Sequence, residues 1–377
     1  MKYYGITCEF NPFHTGHKYL IEQIKSQTNA EGIVCVMSGS MVQRGDIAIY
    51  DKWTRAKAAL ENGADLVIEL PVCYVLQSAD VFAMGAVSIL SSLGCSGIAF
   101  GSECTDTNLL KKIADIKTKE PQEFKISLKN ALDKGMGYPA AYESALNSIL
   151  GEISPNACMP NATLGVCYMA ALNKINPHMD VHVVERIGDY HSKDISGSFA
   201  SATAIRQNIL SGDKRNDFSL CTSDKIYDIN VISPLILGFF RMKTPEELTD
   251  IAGMEPGLAA RLTEQSRISV TLEEFVANCT TKRYTSHRIR RVILCSLLGI
   301  TDAPKPSYAR VLALNSTGAA ILKEIKENSE IEVINKITNC ENKNSQYLKQ
   351  DILSTDIAAL CVNEKASRDF TNTPVVT

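Results

Sequence analysis

Two histidines, His14 and His17, lie three residues apart near the start of the chain, with Gly16 between them. They follow a short apolar run and open a stretch with helical periodicity, so we expect both rings on one side of a first helical turn. Two imidazoles aimed at one phosphate group would stabilise the charge that develops when an α,β-phosphate bridge breaks. Gly16 has no side chain to obstruct a nucleotide. The pattern predicts phosphate chemistry.

An isolated His-x-Gly-His pattern more often lies on a surface helix without a chemical role. Its place in the chain therefore decides between that interpretation and a phosphate site. Here it follows the first predicted strand, after an Asn11-Pro12 break. In doubly wound folds ligands bind at the carboxyl ends of the strands, where a helix N-terminus offers amide donors and a positive dipole to phosphate. The sequence has neither a P-loop nor a Gly-x-Gly-x-x-Gly motif, which argues against P-loop hydrolysis and nicotinamide redox chemistry.

The elements that must position these histidines alternate along the first half of the chain. Strand-length apolar runs predict strands at residues 3–8, 32–37, 65–70, 97–100 and 181–184. Amphipathic stretches predict helices at residues 16–26, 51–62, 78–93, 138–150, 162–174 and 201–210. This alternation predicts an α/β fold with a doubly wound parallel sheet.

The alternation fades near residue 220, where we place a domain boundary. Beyond it the pattern predicts helices at residues 245–251, 258–266, 272–278 and 285–298, and a strand–helix unit at residues 308–314 and 317–325. The sequence therefore predicts an α/β domain of residues 1–220 and a mostly helical region of residues 221–377. At roughly 150 residues per domain, the 377 residues allow two or three domains.

The composition excludes several classes of protein. Apolar residues make up 45% and charged residues 21%, as in a soluble globular protein and unlike a disordered or fibrous chain. The first twenty residues are too polar for a signal peptide, and no apolar run approaches the length of a membrane span. The 12 cysteines show no Cys-x-x-Cys or zinc-finger spacing. We expect a cytoplasmic protein with reduced thiols and no metal site.

A basic segment interrupts a chain whose net charge is −3. Between residues 261 and 310, nine Lys or Arg stand against four Asp or Glu. Five of these basic residues cluster at the start of a predicted helix: Lys282, Arg283, Arg288, Arg290 and Arg291. Such a cluster would neutralise RNA phosphates, with Tyr284 stacking on an unpaired base. The alternative is a solvated helical face.

Six runs occur in a distinctive order along the chain. They are Phe10-Asn11-Pro12-Phe13-His14-Thr15-Gly16-His17, Met37-Ser38-Gly39, Gln43-Arg44-Gly45, Asp65-Leu66-Val67-Ile68-Glu69-Leu70-Pro71, Phe100-Gly101-Ser102-Glu103 and Lys282-Arg283-Tyr284-Thr285. Together they resemble the HIGH-motif nucleotidyltransferase superfamily and, within it, the bacterial family of tRNA(Met) cytidine acetate ligases. The chain departs from that pattern at Ser40-Met41, where the family usually has Asn or His followed by an aromatic residue.

The resemblance implies a nucleotidyltransferase-like catalytic domain, an RNA-binding helical region and an ATP-dependent ligase reaction in two steps. Acetate would attack the α-phosphate of ATP, giving acetyl-adenylate and pyrophosphate. The amine of the wobble cytidine in elongator tRNA(Met) would then take the acetyl group, giving N(4)-acetylcytidine. ATP is implied as a substrate, accompanied by Mg²⁺. The resemblance does not imply acetyl-CoA, a tightly bound cofactor or an obligate protein partner.

The same resemblance implies an ATP site whose catalytic pair is His14 and His17. Its positions in this sequence are Thr7, Cys8, Glu9, Phe10, Asn11, Pro12, Phe13, His14, Thr15, Gly16, His17, Lys18, Tyr19, Leu20, Gly101, Asn161, Arg186 and Ile187. Three of them also have a purely structural interpretation: Gly101 as a tight turn, Asn161 as a helix N-cap and Arg186 as the partner of a surface carboxylate. Their shared location at predicted strand or helix ends favours the ligand.

Two further stretches are weaker candidates. Residues 201–206 are similar to the Ser-x-Thr-x-Ile-Arg element that adenylyltransferases place on nucleotide phosphates, although helix capping explains them nearly as well. The loop at residues 43–46 precedes three basic side chains, Lys52, Arg55 and Lys57. This group would receive RNA, hold the catalytic loop or form a solvated charged face.

Two other functions stay open. A plain adenylyltransferase would join AMP to a phosphorylated small molecule, but such a protein is expected to be near the size of the first domain alone. A non-catalytic RNA-binding protein would use ATP only for structure or regulation. The intact histidine pair argues against that second alternative.

Overall fold

The computed structural model describes residues 1–186, 201–212, 218–329 and 331–377. Its strands are β1 (Tyr3–Cys8), β2 (Gly32–Ser38), β3 (Met41–Val42), β4 (Asp46–Ile47), β5 (Leu66–Leu70), β6 (Gly97–Ser102), β7 (Asp180–Glu185), β8 (Tyr308–Leu314), β9 (Glu332–Ile334) and β10 (Val375–Val376). Its helices are α1 (Thr15–Thr28), α2 (Lys52–Glu61), α3 (Val72–Val75), α4 (Ala79–Ser92), α5 (Thr107–Lys119), α6 (Gln122–Asp133), α7 (Tyr138–Leu150), α8 (Pro160–Ile175), α9 (Ala202–Leu210), α10 (Ser233–Met242), α11 (Pro256–Ile268), α12 (Leu272–Cys279), α13 (Ser286–Leu298), α14 (Ser316–Asn328), α15 (Gln346–Ala359) and α16 (Arg368–Thr371).

One mixed sheet organises the described chain. Its strand order is β10-β8-β5-β2-β1-β6-β7, with β9 also pairing with β8. Every pairing in this sheet is parallel except that of β5 with β8. The chain moves outward from β1 in both directions, so the carboxyl ends of β1 and β6 flank the point where the strand order reverses. Ligands of doubly wound folds bind at this point.

The sheet forms because its central strands are apolar on both faces. All seven residues of β2 are buried. Val34 and Val36 join one hydrophobic cluster, which includes α4 and α8, while Ile33 and Cys35 join a second cluster with α1 and α2. Side chains of successive strand residues point to opposite faces, so β2 is covered by helices on both sides.

The five predicted strands and the doubly wound α/β class are confirmed. The helix predicted at residues 245–251 is wrong, because that segment forms only a three-residue 3₁₀ turn, Glu246–Leu248, before the chain turns at Gly253. Four longer helices, α5, α6, α10 and α15, were not predicted. Among the described residues, no helix has the length and apolar character needed to cross a membrane.

The predicted strand–helix unit near residue 310 exists as β8 and α14. Instead of standing apart, β8 lies beside β5, with Leu66 opposite Leu314. The main sheet thus draws residues from both sides of position 220. The division into residues 1–220 and 221–377 stays a prediction about folding units.

Candidate active site

The loop after β1 brings the two histidines together at the start of α1. His14 is the N-cap of this helix, and its Nδ1 accepts a hydrogen bond from Gly16 N at 3.1 Å. His17 reaches back, and its Nδ1 accepts a hydrogen bond from His14 N at 3.3 Å. The two rings stack with their centroids 3.8 Å apart. Each imidazole therefore caps the helix and fixes the orientation of the other.

This capping also fixes the tautomer of both rings. Because each Nδ1 accepts a backbone N–H, the neutral ring carries its proton on Nε2. Burial, with the nearby positive charges of Arg186 and Arg206, lowers the pKa of His14 to about 4. Burial, His14 and Arg186 lower the pKa of His17 well below its ordinary value. At neutral pH the pair therefore offers two oriented N–H donors.

The histidines line a cleft of about 490 Å³. Its walls come from the carboxyl ends of β1, β6 and β7, from the β3–β4 hairpin, and from the first residues of α1, α8 and α9. The helices α1, α8 and α9 all begin at this cleft, and their first-turn amide groups and positive dipole ends favour an anionic ligand. Among the three, α9 is capped by Ser201, whose hydroxyl accepts a hydrogen bond from Ala204 N at 3.2 Å.

Most predicted ATP-site residues meet in this cleft: Thr7, Cys8, Glu9, Phe10, Asn11, His14, Gly16, His17, Tyr19, Leu20, Gly101, Asn161 and Arg186. Four residues of the predicted stretch do not line it: Pro12, Phe13, Thr15 and Lys18. Phe13 is fully buried, and its ring packs edge-on against Phe10. Lys18 lies on the exposed side of α1. Ile187 lies outside the described residues.

A carboxylate that the sequence reasoning did not select, Glu103, holds two of these residues in place. Its Oε1 accepts a hydrogen bond from Asn161 Nδ2 and lies 3.9 Å from Arg186 Nε. Its Oε2 accepts a hydrogen bond from Ala162 N at 3.0 Å, so Glu103 caps α8, whose own N-cap, Met159, provides no side-chain acceptor. The sequence signal that could have identified Glu103 is its position as the last residue of the Phe100 to Glu103 run.

These contacts bear on the structural alternatives for three site residues. Asn161 is not the N-cap of α8, because the helix begins at Pro160. Gly101 lies within β6 and not in a tight turn, and a Cβ on it would stand 3.2 Å from Arg186 Cγ. Arg186 lies 3.9 Å from the carboxylate of Glu103, a partly buried residue next to the cleft, as the pairing alternative expects.

The chain matches the HIGH Nucleotidyl Transferase family over residues 1–373. A tRNA(Met) cytidine acetate ligase from Acetivibrio thermocellus is 35% identical over 414 aligned residues, covering 100% of both chains. One from Caldanaerobacter subterraneus is 37% identical, covering 96% of this chain and 95% of that relative. The chain belongs to the tRNA(Met) cytidine acetate ligase family, within the HIGH nucleotidyl transferases.

Solved structures support this family assignment at the level of the fold. The apo crystal structure of Thermotoga maritima TmcAL superposes with a TM-score of 0.91 at 28% identity, covering 100% of this chain and 99% of that one. The crystal structure of the same protein bound with alpha-thio ATP gives a TM-score of 0.88 at 27% identity and the same coverage. The predicted resemblance to the ligase family is thus confirmed.

Two of the three basic residues that follow the 43–46 loop are buried inside the ligase fold. Arg55 is fully buried and donates hydrogen bonds to Glu9 O at 2.6 Å and Ser38 O at 3.1 Å. Lys52 is also buried, with its Nζ 2.7 Å from Glu69 Oε1. Only Lys57 is exposed, 3.7 Å from Glu61. Of the three interpretations of this group, Arg55 fits that of holding the catalytic loop, and neither buried residue is a solvated charge.

The basic cluster of the ligase fold is largely paired with acidic neighbours. Arg283 and Arg288 share Glu255, with Arg288 at 2.5 Å. Arg290 lies 2.6 Å from Glu273, and Arg291 donates a hydrogen bond to Gln43 O at 3.4 Å. Lys282 is exposed.

The proposed stacking role of Tyr284 is wrong. Its ring is 8% exposed and belongs to the hydrophobic core, and its hydroxyl donates to Glu255 at 3.1 Å. The guanidinium groups of Arg283 and Arg288 lie 5.5 and 5.2 Å from the ring centroid. No face of this ring is available to an RNA base.

Arg206, the last residue of the weaker candidate stretch 201–206, lines the cleft. It donates a hydrogen bond to Asn11 O at 2.7 Å and so links α9 to the loop after β1. Other cleft residues could not be selected from the sequence alone. Phe82 and Tyr168 supply apolar walls from α4 and α8. Apolar helix residues of this kind carry no signal that separates a cleft wall from ordinary core. Across the described part of the chain, no group of three or more His, Cys, Asp and Glu side chains has the arrangement of a metal site.

Proposed function

We propose that this chain is an ATP-dependent ligase that activates acetate as acetyl-adenylate and transfers the acetyl group to the wobble cytidine of elongator tRNA(Met). The observation that carries the proposal is the capped, stacked pair His14 and His17, which lines a cleft shared with Gly101, Asn161 and Arg186. The full-length similarity to tRNA(Met) cytidine acetate ligases supports the choice of substrates.

In the first step an acetate oxygen attacks the α-phosphorus of ATP and the bond to the β-phosphate oxygen breaks. The Nε2–H groups of His14 and His17 would donate to the phosphate oxygens on which charge develops. Removing one such preorganised donor typically costs about 2.7–4 kcal/mol of transition-state stabilisation. Arg186 and Arg206 would add positive charge. Acetate needs no general base, because it is ionised at neutral pH.

Magnesium would arrive with the triphosphate, since Mg²⁺ is usually held by substrate phosphates, waters and one or two carboxylates. Glu9, in the loop that leads to the histidines, is a carboxylate that lines the cleft. The metal would neutralise phosphate charge and so favour departure of pyrophosphate. We propose Mg²⁺ as part of the ATP substrate and not as a resident cofactor.

In the second step the tRNA would bind across the basic cluster Lys282, Arg283, Arg288, Arg290 and Arg291. Arginines already paired with carboxylates can still contact phosphate, because a guanidinium has five N–H donors. The contacts would be largely independent of sequence and sensitive to salt. Because tRNA, ATP and acetate meet in the cytoplasm, we propose that the enzyme acts there.

One assay tests the proposal and separates it from the two rivals. The purified chain alone is incubated with ATP, Mg²⁺ and labelled acetate, with elongator tRNA(Met) or with the same tRNA carrying uridine at the wobble position. We expect acetate-dependent pyrophosphate release with either tRNA, and label only in the RNA with cytidine. Acetyl-CoA is omitted throughout.

Other outcomes contradict the proposal. Pyrophosphate release with a phosphorylated small molecule, and none with acetate, indicates a plain adenylyltransferase. RNA binding with neither product indicates a non-catalytic RNA-binding protein.

A further inference from the structure

The β3–β4 hairpin connects the nucleotide cleft to the helix that carries the basic cluster. Its strands pair antiparallel, with Val42 opposite Asp46. The turn contains Gly45 at φ +77°, where a Cβ would stand 2.5 Å from Arg291 N and 2.6 Å from Arg290 Cβ. The glycine therefore allows the turn to pack directly on α13. An RNA held by that helix would approach the cleft past this hairpin.

Asp46 is the carboxylate that the hairpin contributes to the cleft wall. It is partly buried, and its Oδ1 accepts a hydrogen bond from Ile47 N at 2.8 Å, which orients the group. Burial raises its pKa, which the positive charges of Arg290 and Arg206 partly oppose. Asp46 is thus influenced both by a guanidinium of the basic cluster, Arg290, and by Arg206, which contacts the nucleotide loop.

The second step of the proposed reaction requires a proton acceptor. The cytidine amine must lose one proton as it becomes an amide, and the histidine pair is poorly suited to take it. In both rings Nδ1 already accepts a backbone N–H, and Nε2 carries a proton. The acidic residues that line the cleft in the described chain are Glu9, Asp46 and Glu185.

These three carboxylates differ in position. Glu185 is exposed at the end of the outer strand β7. Glu9 lies in the loop after β1 that leads to the histidines, and its Oε1 holds Gln43 N at 2.6 Å. Asp46 directly follows Gly45, which packs on Arg290 and Arg291, so it lines the cleft on the α13 side, where the RNA would enter. Its position therefore favours contact with the incoming base over contact with the triphosphate.

We propose that Asp46 is the catalytic residue that accepts the proton of the cytidine amine during acetyl transfer, an inference that rests on the proposed function. The amine nitrogen attacks the carbonyl carbon of acetyl-adenylate and a C–N bond forms. The bond from that carbon to the AMP oxygen breaks, and its electron pair leaves with AMP. The amine proton passes to the Asp46 carboxylate. General base catalysis of this kind contributes about 10²–10⁴-fold.

The test separates the two half-reactions in the full chain. Asp46→Asn is compared with wild type for acetate-dependent ATP–pyrophosphate exchange, and for single-turnover transfer from preformed acetyl-adenylate to elongator tRNA(Met). We expect exchange to stay within about twofold and transfer to fall by about 10²–10⁴-fold. Filter binding should give an unchanged Kd for the tRNA. Asp46→Glu should restore most of the transfer rate, because it keeps a carboxylate.

The dependence of the acetyl-transfer rate on pH distinguishes a catalytic role of Asp46 from a structural one, because loss of a structural contact alone would not change that dependence. The wild-type transfer rate should rise with pH as the Asp46 carboxyl ionises and then level off. The transfer rate of Asp46→Asn should not show this rise. The groups that face Asp46 and could also shape the profile are Arg290 on α13, Arg206 on α9, Asp228 and Cys361. Asp228→Asn removes a neighbouring negative charge and serves as the matched control, with a wild-type transfer rate expected.

Three results would overturn the assignment: transfer by Asp46→Asn within about threefold of wild type, equal loss of exchange and transfer, or an equal defect in Asp228→Asn. If thermal denaturation shows that Asp46→Asn is unfolded, Asp46→Ser replaces it with the same expectations. A wild-type chain that exchanges pyrophosphate but never labels RNA contradicts the proposed function itself, and the wild-type arm alone reveals this.

Discussion

Lys52 Nζ lies 2.7 Å from Asp369 Oδ1, and both side chains are fully excluded from solvent. The same ammonium pairs with Glu69 at 2.7 Å, and Arg310 pairs with both carboxylates. Two cations and two anions from α2, β5, β8 and α16 therefore form one neutral buried cluster. Removal of one partner from a buried pair leaves an uncompensated charge, which costs about 3–5 kcal/mol.

Asp369→Ala should therefore lower the free energy of unfolding by about 3–5 kcal/mol, measured by urea denaturation at pH 7. Glu61→Ala is the matched control, because it breaks the exposed pair with Lys57 and should cost no more than about 1 kcal/mol. Equal effects of the two substitutions would show that the buried cluster stabilises the fold no more than an exposed ion pair does.

The buried cluster marks the limit of what the sequence predicts. The strands and the histidine-bearing turn follow from local periodicity and from residues a few positions apart, and these predictions hold. Lys52 and Arg55 have the sequence signature of a solvated basic face, yet both are buried. Their burial depends on partners such as Asp369 that lie far away along the chain. Local pattern cannot reveal a charge that is neutralised by such a distant residue.

Glu103 shows the same limit within the site, and its role can be tested. Glu103→Ala removes the cap of α8, the acceptor of Asn161 and the carboxylate near Arg186. We expect the Kd for ATP, measured by calorimetry, to rise about tenfold or more while tRNA affinity is unchanged; loss of a cap alone costs about 1 kcal/mol of stability.

The control for Glu103 is another capping carboxylate. Asp106 caps α5 through Leu109 N at 3.0 Å. Asp106→Ala should cost a similar amount of stability and leave ATP affinity intact. If Asp106→Ala weakens ATP binding as much as Glu103→Ala does, the effect of Glu103 is only that of a destabilised fold.

The lowered pKa values of the histidine pair predict a specific pH dependence. The folded-state pKa of His14 is about 4, below the ordinary value of about 6.5 expected for the unfolded chain. The unfolded state therefore binds protons more readily, so stability from this ring is complete above pH 6.5 and is lost as pH falls toward 4. His14→Asn keeps a capping acceptor and should remove this part of the dependence.

Nuclear magnetic resonance of the imidazole C–H groups checks this prediction directly. In the folded chain without ATP, the His14 and His17 signals should not titrate between pH 5.5 and 8, whereas both should titrate near 6.5 in urea. Titration of either ring near 6.5 in the folded protein would show that the pair is not held as neutral donors.

Lys282 provides the cleanest test of RNA binding, because it is exposed, whereas the other exposed member of the basic cluster, Arg283, is paired with Glu255. If it contacts a phosphate, Lys282→Ala should weaken tRNA binding at low salt and reduce the slope of log K against log salt by about 1. Acetate-dependent pyrophosphate release should be unaffected, because the residue does not line the cleft. Lys305, an exposed lysine outside the cluster, gives the matched variant Lys305→Ala, which should keep the wild-type slope. Identical slopes for all three proteins would mean that Lys282 does not contact an RNA phosphate.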